Sequence, residues 1–172
     1  MTTTSWADFE RAAPVLAAAV RRRFEGYTHH VLATLRADGA PRLTGLEATF
    51  RDGELWLGMM PNSRKARDLR RDPRFALQAN PGSGAEMAEG DARVSGRAVE
   101  VRDPSVLARF SAAQPEGEVP EVFHLFRADL TEVVRVYLDV PDLCIDVWHP
   151  GRPVRTIRRG NDDAPPREEN GG

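Results

Sequence analysis

His30-Val31-Leu32-Ala33-Thr34-Leu35-Arg36-Ala37-Asp38-Gly39-Ala40-Pro41-Arg42 decides the fold class. His30, Leu32, Thr34 and Arg36 fall on one side and Val31, Ala33 and Leu35 on the other, the period of two that a strand requires. Ala37-Asp38-Gly39 then supplies hairpin chemistry. A second strand is expected from Arg42 to Phe50. Asp52-Gly53 marks another turn, and Glu54 to Met59 reads as a third strand with Leu55 and Leu57 on one face. Tight turns between them predict a meander.

Outward to the N-terminus the period changes. Ser5 followed by Asp8 is a capping box for a first helix. Pro14 in a helix interior would cost a backbone hydrogen bond, so it opens a second helix at its first position. That helix presents Leu16, Val20 and Phe24 on one face and stops at Gly26.

Outward to the C-terminus, Pro61-Asn62-Ser63 breaks the sheet. Asn62 or Ser63 can cap a helix through about Arg71, and Asp72-Pro73 ends it. Arg74 to Ala79 is a fourth strand and Asp91 to Arg102 a fifth, with Asn80 to Gly90 a mobile loop between them. Asp103-Pro104 opens a helix through about Ala113, and Gln114 to Pro120 is a loop. Phe123 to Leu138 and Leu143 to Trp148 are the last strands. From Asn161 the chain is polar, with Pro165-Pro166 and Gly171-Gly172, and is expected to be disordered. The expected organisation is a helical segment over 1–27, a sheet domain over 28–160 and a tail over 161–172. Many strands and few helices predict a mainly β, α+β fold, a barrel or a sandwich. Periodicity does not choose between the two.

The chain's 172 residues suit one domain, and a net charge of −2 gives no general attraction to nucleic acid or anionic membranes. No apolar stretch is long enough to span a bilayer, and Met1-Thr2-Thr3-Thr4 lacks the marks of a secretory signal. One cysteine, Cys144, cannot form an internal disulfide and sits in an apolar run, so a reducing cytoplasm is the expected compartment. His29 and His30 point to opposite faces, His124 and His149 are isolated, and no metal-ligand spacing is present.

Of the 24 basic residues only Lys65 is a lysine. It stands in Asn62-Ser63-Arg64-Lys65-Ala66-Arg67, at the start of an expected helix. Cations there oppose the helix dipole at about 0.3–1 kcal/mol each. An anion at the site would offset that, because free backbone N–H groups, a hydroxyl, a guanidinium and an ammonium together make a phosphate cradle. A solvated basic helix face is the plainer alternative, since Arg70 and Arg71 follow. A second feature is Trp148 at a strand end with Arg152, Arg155, Arg158 and Arg159 after it. An indole and guanidiniums can hold a planar ring, whereas core packing for Trp148 and solvation for the arginines is the plainer account.

Leu32-Ala33-Thr34-Leu35-Arg36 through Arg42, Asp52-Gly53-Glu54-Leu55-Trp56-Leu57, Ser63-Arg64-Lys65-Ala66-Arg67-Asp68-Leu69 and Asp72-Pro73-Arg74 together resemble the pyridoxamine 5′-phosphate oxidase-like family. The likeness covers residues 28 to 102 and returns in the closing segment with Trp148. It implies a split β-barrel homodimer with cofactor sites at the interface and a small-molecule substrate. It implies that Ser63, Arg64 and Lys65 hold the phosphate of FMN, with Arg42, Leu43 and Thr44 on the second strand. Gly58 and Met59 then lie against the cofactor, and Trp148 and Arg158, or Arg155, close the site. The family's deazaflavin branch makes coenzyme F(420) the alternative cofactor.

This chain also departs from the oxidase pattern. Glu47 stands where the oxidase proper has a lysine for the substrate phosphate, so pyridoxamine phosphate is an unsuitable substrate. Asp91 stands where the oxidase has a glutamine. The resemblance implies an oxidoreductase that transfers hydride between the cofactor and a small organic molecule. A non-catalytic flavin- or haem-binding protein is the alternative. No side chain is singled out as catalytic.

Overall fold

The computed structural model describes residues 2–82, 90–114 and 122–170. The opening stretch forms β1 (His30–Leu35), with His30, Leu32 and Thr34 buried. Before it stand α1 (Trp6–Ala12) and α2 (Pro14–Glu25). Ser5 Oγ accepts the Asp8 N–H at 3.1 Å, Pro14 opens α2, and the Gly26 N–H closes α2 on Arg22 O at 3.0 Å.

The expected strand from Arg42 to Phe50 is two strands. β2 (Pro41–Leu46) pairs with β1, whereas β3 (Ala48–Arg51) pairs with β4 (Glu54–Met59). Glu47 lies between and belongs to neither. The reason is the supply of partners: the β1 ladder ends at His30 opposite Leu46, and the β4 ladder begins at Leu57 opposite Ala48. The three expected strands are therefore two hairpins in different ladders, not one meander.

The chain continues through α3 (Arg64–Arg71), β5 (Arg74–Gln78), β6 (Asp91–Val101), α4 (Pro104–Ala112), β7 (His124–Asp139), β8 (Asp142–Trp148), β9 (Arg155–Arg159) and β10 (Arg167–Asn170). Strand order is β10-β9-β8-β7-β6-β5-β1-β2, with β4 on β7 and β3 on β4. The long strand β7 serves two ladders on the side away from β6. Its start, His124–Arg127, pairs with β4, and its second half, Val133–Asp139, pairs with β8. The ring β3-β4-β7-β6-β5-β1-β2 is closed by the chain itself at Glu47, with no ladder between β2 and β3. That is a split β-barrel, in a mainly β, α+β fold. Seven strands were expected; ten form among the described residues, because Glu47 divides one and β9 and β10 extend the sheet beyond the ring.

The core is shared between the helices and the barrel. Trp6, Phe9, Leu16, Val20 and Phe24 pack in one cluster with Leu32, Leu55, Leu57, Leu77, Val94, Leu130 and Trp148. Fully burying a side chain of this size contributes about 1.5–3 kcal/mol, so α1 and α2 stabilise the barrel as part of its core.

The tail also differs from expectation. Residues 167–170 form β10 on β9. Its side chains are polar, so no apolar pattern announced it. Backbone pairing and the contacts Arg167–Asp142 at 2.6 Å and Arg158–Glu169 at 3.1 Å hold it. The loops expected at Asn80 to Gly90 and Gln114 to Pro120 include residues 83–89 and 115–120, which lie outside the described residues. No helix among the described residues is long and apolar enough to cross a membrane.

Candidate functional site

The break at Glu47 opens a cleft of about 400 Å³. One wall is the end of β2 (Gly45, Leu46) with Glu47 and Thr49. The floor is Gly58 and Met59 of β4 with Met60 beyond it. Lys65 of α3 enters from one end, and Phe110, Gln114 and Phe123 stand across from it, with His29 at the edge. A Cβ at Gly45 or Gly58 would meet nothing within 4 Å, so the floor is open where both lack side chains.

Ser63 caps α3, its Oγ accepting the Ala66 N–H at 3.4 Å, while Ser63 O accepts the Arg67 N–H at 3.2 Å. The N–H groups of Arg64 and Lys65 keep no partner among the described residues, as a helix start requires. Lys65 Nζ donates to Gly45 O at 2.6 Å. Burial depresses the pKa of this half-buried ammonium, and the Glu47 carboxylate partly restores it. Arg64 is exposed and makes no hydrogen bond or ion pair among the described residues. His29 Nε2 lies 3.4 Å from Glu47 Oε1 at the cleft edge.

Lys65, Gly58, Met59 and Glu47, singled out in the sequence, therefore meet at one cleft. Other expected site residues are placed elsewhere. Arg42 turns inward, its Nε donating to Asp68 Oδ2 at 2.6 Å. Thr34 Oγ1 donates to the same oxygen at 3.0 Å and Arg71 Nη2 to Asp68 Oδ1 at 3.2 Å. Burial alone would raise the Asp68 pKa. The hydrogen bonds from Arg42, Thr34 and Arg71 outweigh it and hold the carboxyl below its ordinary value. This network straps α3 to β1 and β2, so Arg42 supports the helix that carries Lys65. Leu43 points outward and is 70 % exposed. Thr44 Oγ1 is buried without a partner, one residue from the carbonyl that Lys65 holds.

Trp148 is a core residue, 2 % exposed, with its ring 4.7 Å from that of Phe9. Its indole packs in the core and does not line the cleft: β8 pairs with the second half of β7, farther along the same edge from the stretch that pairs with β4. Arg158 is bound to Asp139 at 2.7 Å and to Glu169 at 3.1 Å, and its Nη1 lies 3.3 Å from Cys144 Sγ. Arg155 faces Glu168 at 3.6 Å and lines a smaller concavity of about 250 Å³ with His149 and Arg152. Asp91 caps its own strand, with Oδ1 on the Ala92 N–H at 2.9 Å.

Sequence reasoning missed Phe110, Phe123, Met60 and His29. Phe110 is the buried residue of α4 and packs near Trp56 and Phe123, at 6.3 and 5.9 Å between rings. The expected helix through about Ala113 contains it, but nothing local says that it packs over a cleft.

A family profile described as pyridoxamine 5′-phosphate oxidase matches residues 16–137, well over half of the chain. No curated protein sequence matches the chain. Among solved structures, a candidate pyridoxamine 5′-phosphate oxidase from Listeria innocua is similar, with a TM-score of 0.56 at 16% identity, over 69% of this chain and 95% of that one. A haem-binding protein from Mycobacterium smegmatis has a TM-score of 0.56 at 21% identity, over 77% of this chain and 57% of that one. The protein PhzG from Burkholderia lata, solved with tetrahydrophenazine-1-carboxylic acid, has a TM-score of 0.50 at 17% identity, over 95% of this chain and 94% of that one. At these identities the likeness is one of fold.

Proposed function

The chain belongs to the pyridoxamine 5′-phosphate oxidase family, and on that premise we propose that it is a flavin- or deazaflavin-dependent oxidoreductase acting on a small organic molecule other than pyridoxamine phosphate. The observation that carries the reading is Lys65, the chain's one lysine, half-buried at the head of α3 beside Arg64 and two backbone N–H groups that have no partner among the described residues. These groups fit a phosphate on a ribityl chain, the feature common to FMN and coenzyme F(420). The open space at Gly45 and Gly58 leaves room for a flat ring. FMN is the first choice of cofactor and F(420) the second.

A bound flavin supplies the hydride chemistry itself. The chain's own residues bind and orient. Lys65 and Arg64 hold the anion, Asp68 and Arg42 fix the helix that carries them, and Leu46, Met59, Phe110 and Phe123 exclude water from the cleft. Glu47 sets the substrate's charge, since a carboxylate at the edge repels a phosphorylated ligand. A homodimer fits the apolar side chains left open on the outer sheet face, with Leu43 and Val31 exposed and Ile145, Val147 and Ile157 half-exposed. No charge pattern favours nucleic acid or a membrane as partner, and the buried free Cys144 suits the cytoplasm.

The test is the visible spectrum of the purified protein, followed by titration with FMN and with coenzyme F(420). Saturable binding of either supports the reading, and failure of both overturns it. A second reading, a haem-binding protein without turnover, draws on His29 and Met60 at the same apolar cleft, which are the available axial ligand types. A Soret band on haem addition that is lost in His29→Ala would favour it.

A further inference from the structure

Helix α4 covers the outer face of the β3–β4 hairpin. Phe50, Leu55 and Leu57 of that hairpin pack against the main core. Side chains alternate along a strand, so Thr49, Arg51 and Trp56 face the other way. Trp56 is buried there in a second cluster with Phe110 and Leu125, against which Val101, Val106, Leu107 and Phe123 pack. Phe110 is the buried residue of α4, so this small cluster is what seats the helix.

Arg51 ties the helix to the hairpin. Its guanidinium donates to Phe110 O at 3.4 Å and to Ala113 O at 3.0 Å, at the C-terminal end of α4. The last carbonyls of a helix have no partner within it and carry partial negative charge, so a cation there is favourable. The carbonyl of Arg51 accepts the Trp56 indole N–H at 3.1 Å. One residue therefore fixes both the indole beside Phe110 and the backbone that carries Phe110.

The cleft draws unlike groups from its two sides. Its charged groups come from α3 and the Glu47 break. Its aromatic lining comes from α4 and the residue before β7: Phe110 and Phe123, with rings 5.9 Å apart and tilted by 33°. Met59 and Met60 add thioethers, and Thr49 and Gln114 add uncharged polar groups. Aromatic faces and thioethers favour an aromatic ring over a saturated one, through ring–ring and sulfur–ring contacts. A volume of about 400 Å³ is of the size that takes a small organic molecule.

We propose that the α4 side of the cleft is the site of the small-molecule acceptor and takes a flat aromatic ring, with Phe110 as the specificity-determining residue and Arg51 as the positioning residue that sets Phe110 in place. Naming the occupant an acceptor rests on the proposed oxidoreductase, whereas the preference for a flat ring does not.

The experiment is fluorescence titration of the full chain with N-phenyl-1-naphthylamine, an uncharged aromatic probe that brightens in apolar surroundings, with and without FMN. Saturable binding is expected, and Phe110→Ala should weaken it about tenfold. Against the bound probe, 2-naphthol should compete at a concentration at least about tenfold below that of decahydro-2-naphthol, which has the same carbon skeleton and hydroxyl but no flat ring. Phe110→Leu keeps the bulk and loses the ring, so it should narrow that gap. Arg51→Met removes the bonds to the helix end and keeps the carbonyl that Trp56 uses. It should weaken the probe about threefold or more, the weight of one net hydrogen bond, and Arg51→Lys should recover part of the loss. No saturable binding, unchanged affinity in Phe110→Ala, or equal competition by the two naphthols would overturn the flat-ring site. A lower Tm in Arg51→Met with unchanged probe affinity would make Arg51 merely structural and overturn its positioning role. Displacement of the probe by FMN would give the α4 side to the cofactor ring and overturn the acceptor assignment. Absence of FMN binding with the probe results intact would overturn the cofactor reading and leave the flat-ring site standing.

Discussion

Asp68→Ala should unfold the protein more readily by about 3–5 kcal/mol, the cost of breaking a buried charge network by removing one partner. The figure can be built from the three bonds the carboxylate accepts. Arg42 and Asp68 have side chains 17% and 5% exposed, so their pair is close to a buried one, and loss of a charged hydrogen bond of this kind costs about 1.5–3 kcal/mol. Thr34 is buried, and stranding its hydroxyl adds about 1–3 kcal/mol. Arg71 is 41% exposed, so its contribution is about 0–1 kcal/mol. These ranges bracket the cost, and for a chain of this size about 3–5 kcal/mol corresponds to a fall in Tm of about 6–20 °C. Urea titration of wild type, Asp68→Ala, Arg42→Met and the double variant would measure it, with a coupling above about 1 kcal/mol expected between the two sites. Because Asp68's folded pKa is depressed, the gap between wild type and Asp68→Ala should be full above the unfolded carboxyl value of about 4 and close as pH falls through the folded value. A cost below about 1 kcal/mol for Asp68→Ala would refute the strap. So would an Arg42→Met variant that loses FMN affinity with unchanged stability, because Arg42 would then be a ligand contact.

Lys65→Ala should weaken FMN binding about tenfold or more with Tm nearly unchanged, by titration calorimetry and thermal melts, because its one internal bond is to an edge carbonyl. Unchanged affinity would remove the cradle. Glu47→Lys should create measurable affinity for pyridoxal phosphate, and a variant as unresponsive as the wild type would mean the cleft no longer accommodates that substrate. His30 is buried, which with His29 nearby pushes its pKa down to about 4, and its Nδ1 accepts the Asn80 N–H at 3.3 Å. Below the unfolded value of about 6.5 the unfolded chain takes a proton that the folded chain refuses, so up to roughly 3 kcal/mol of stability should drain between there and pH 4. His30→Asn should flatten that slope, and an unaltered slope would assign it elsewhere. Gly96→Ala should cost several kcal/mol by urea denaturation, since a Cβ there would sit 2.1 Å from the Asp129 carbonyl oxygen at a register shift between β6 and β7. A variant as stable as the wild type would show that the backbone can part.

The chain's local chemistry determined a good deal by itself. The period-two runs at His30–Leu35 and Glu54–Met59, the proline that opens α2 and the serine that caps α3 are written within a few residues of where they act. So was the unusual lone lysine at the head of a helix. What lay outside local reach was everything set by a partner distant in sequence. The strand 42–50 divides at Glu47 because β1 runs out on one side and β4 takes over on the other, and only the assembled ladders reveal the gap. The Arg42 bond to Asp68, 26 positions on, and the packing of Trp148 on Phe9 are likewise set by partners far along the chain. Strand β10 has no apolar face to advertise it and exists because β9 offers an edge and arginines. The cleft itself is a product of topology. Residues from β2, β4, α3 and α4 meet there because one ring of strands is closed by a single unpaired residue.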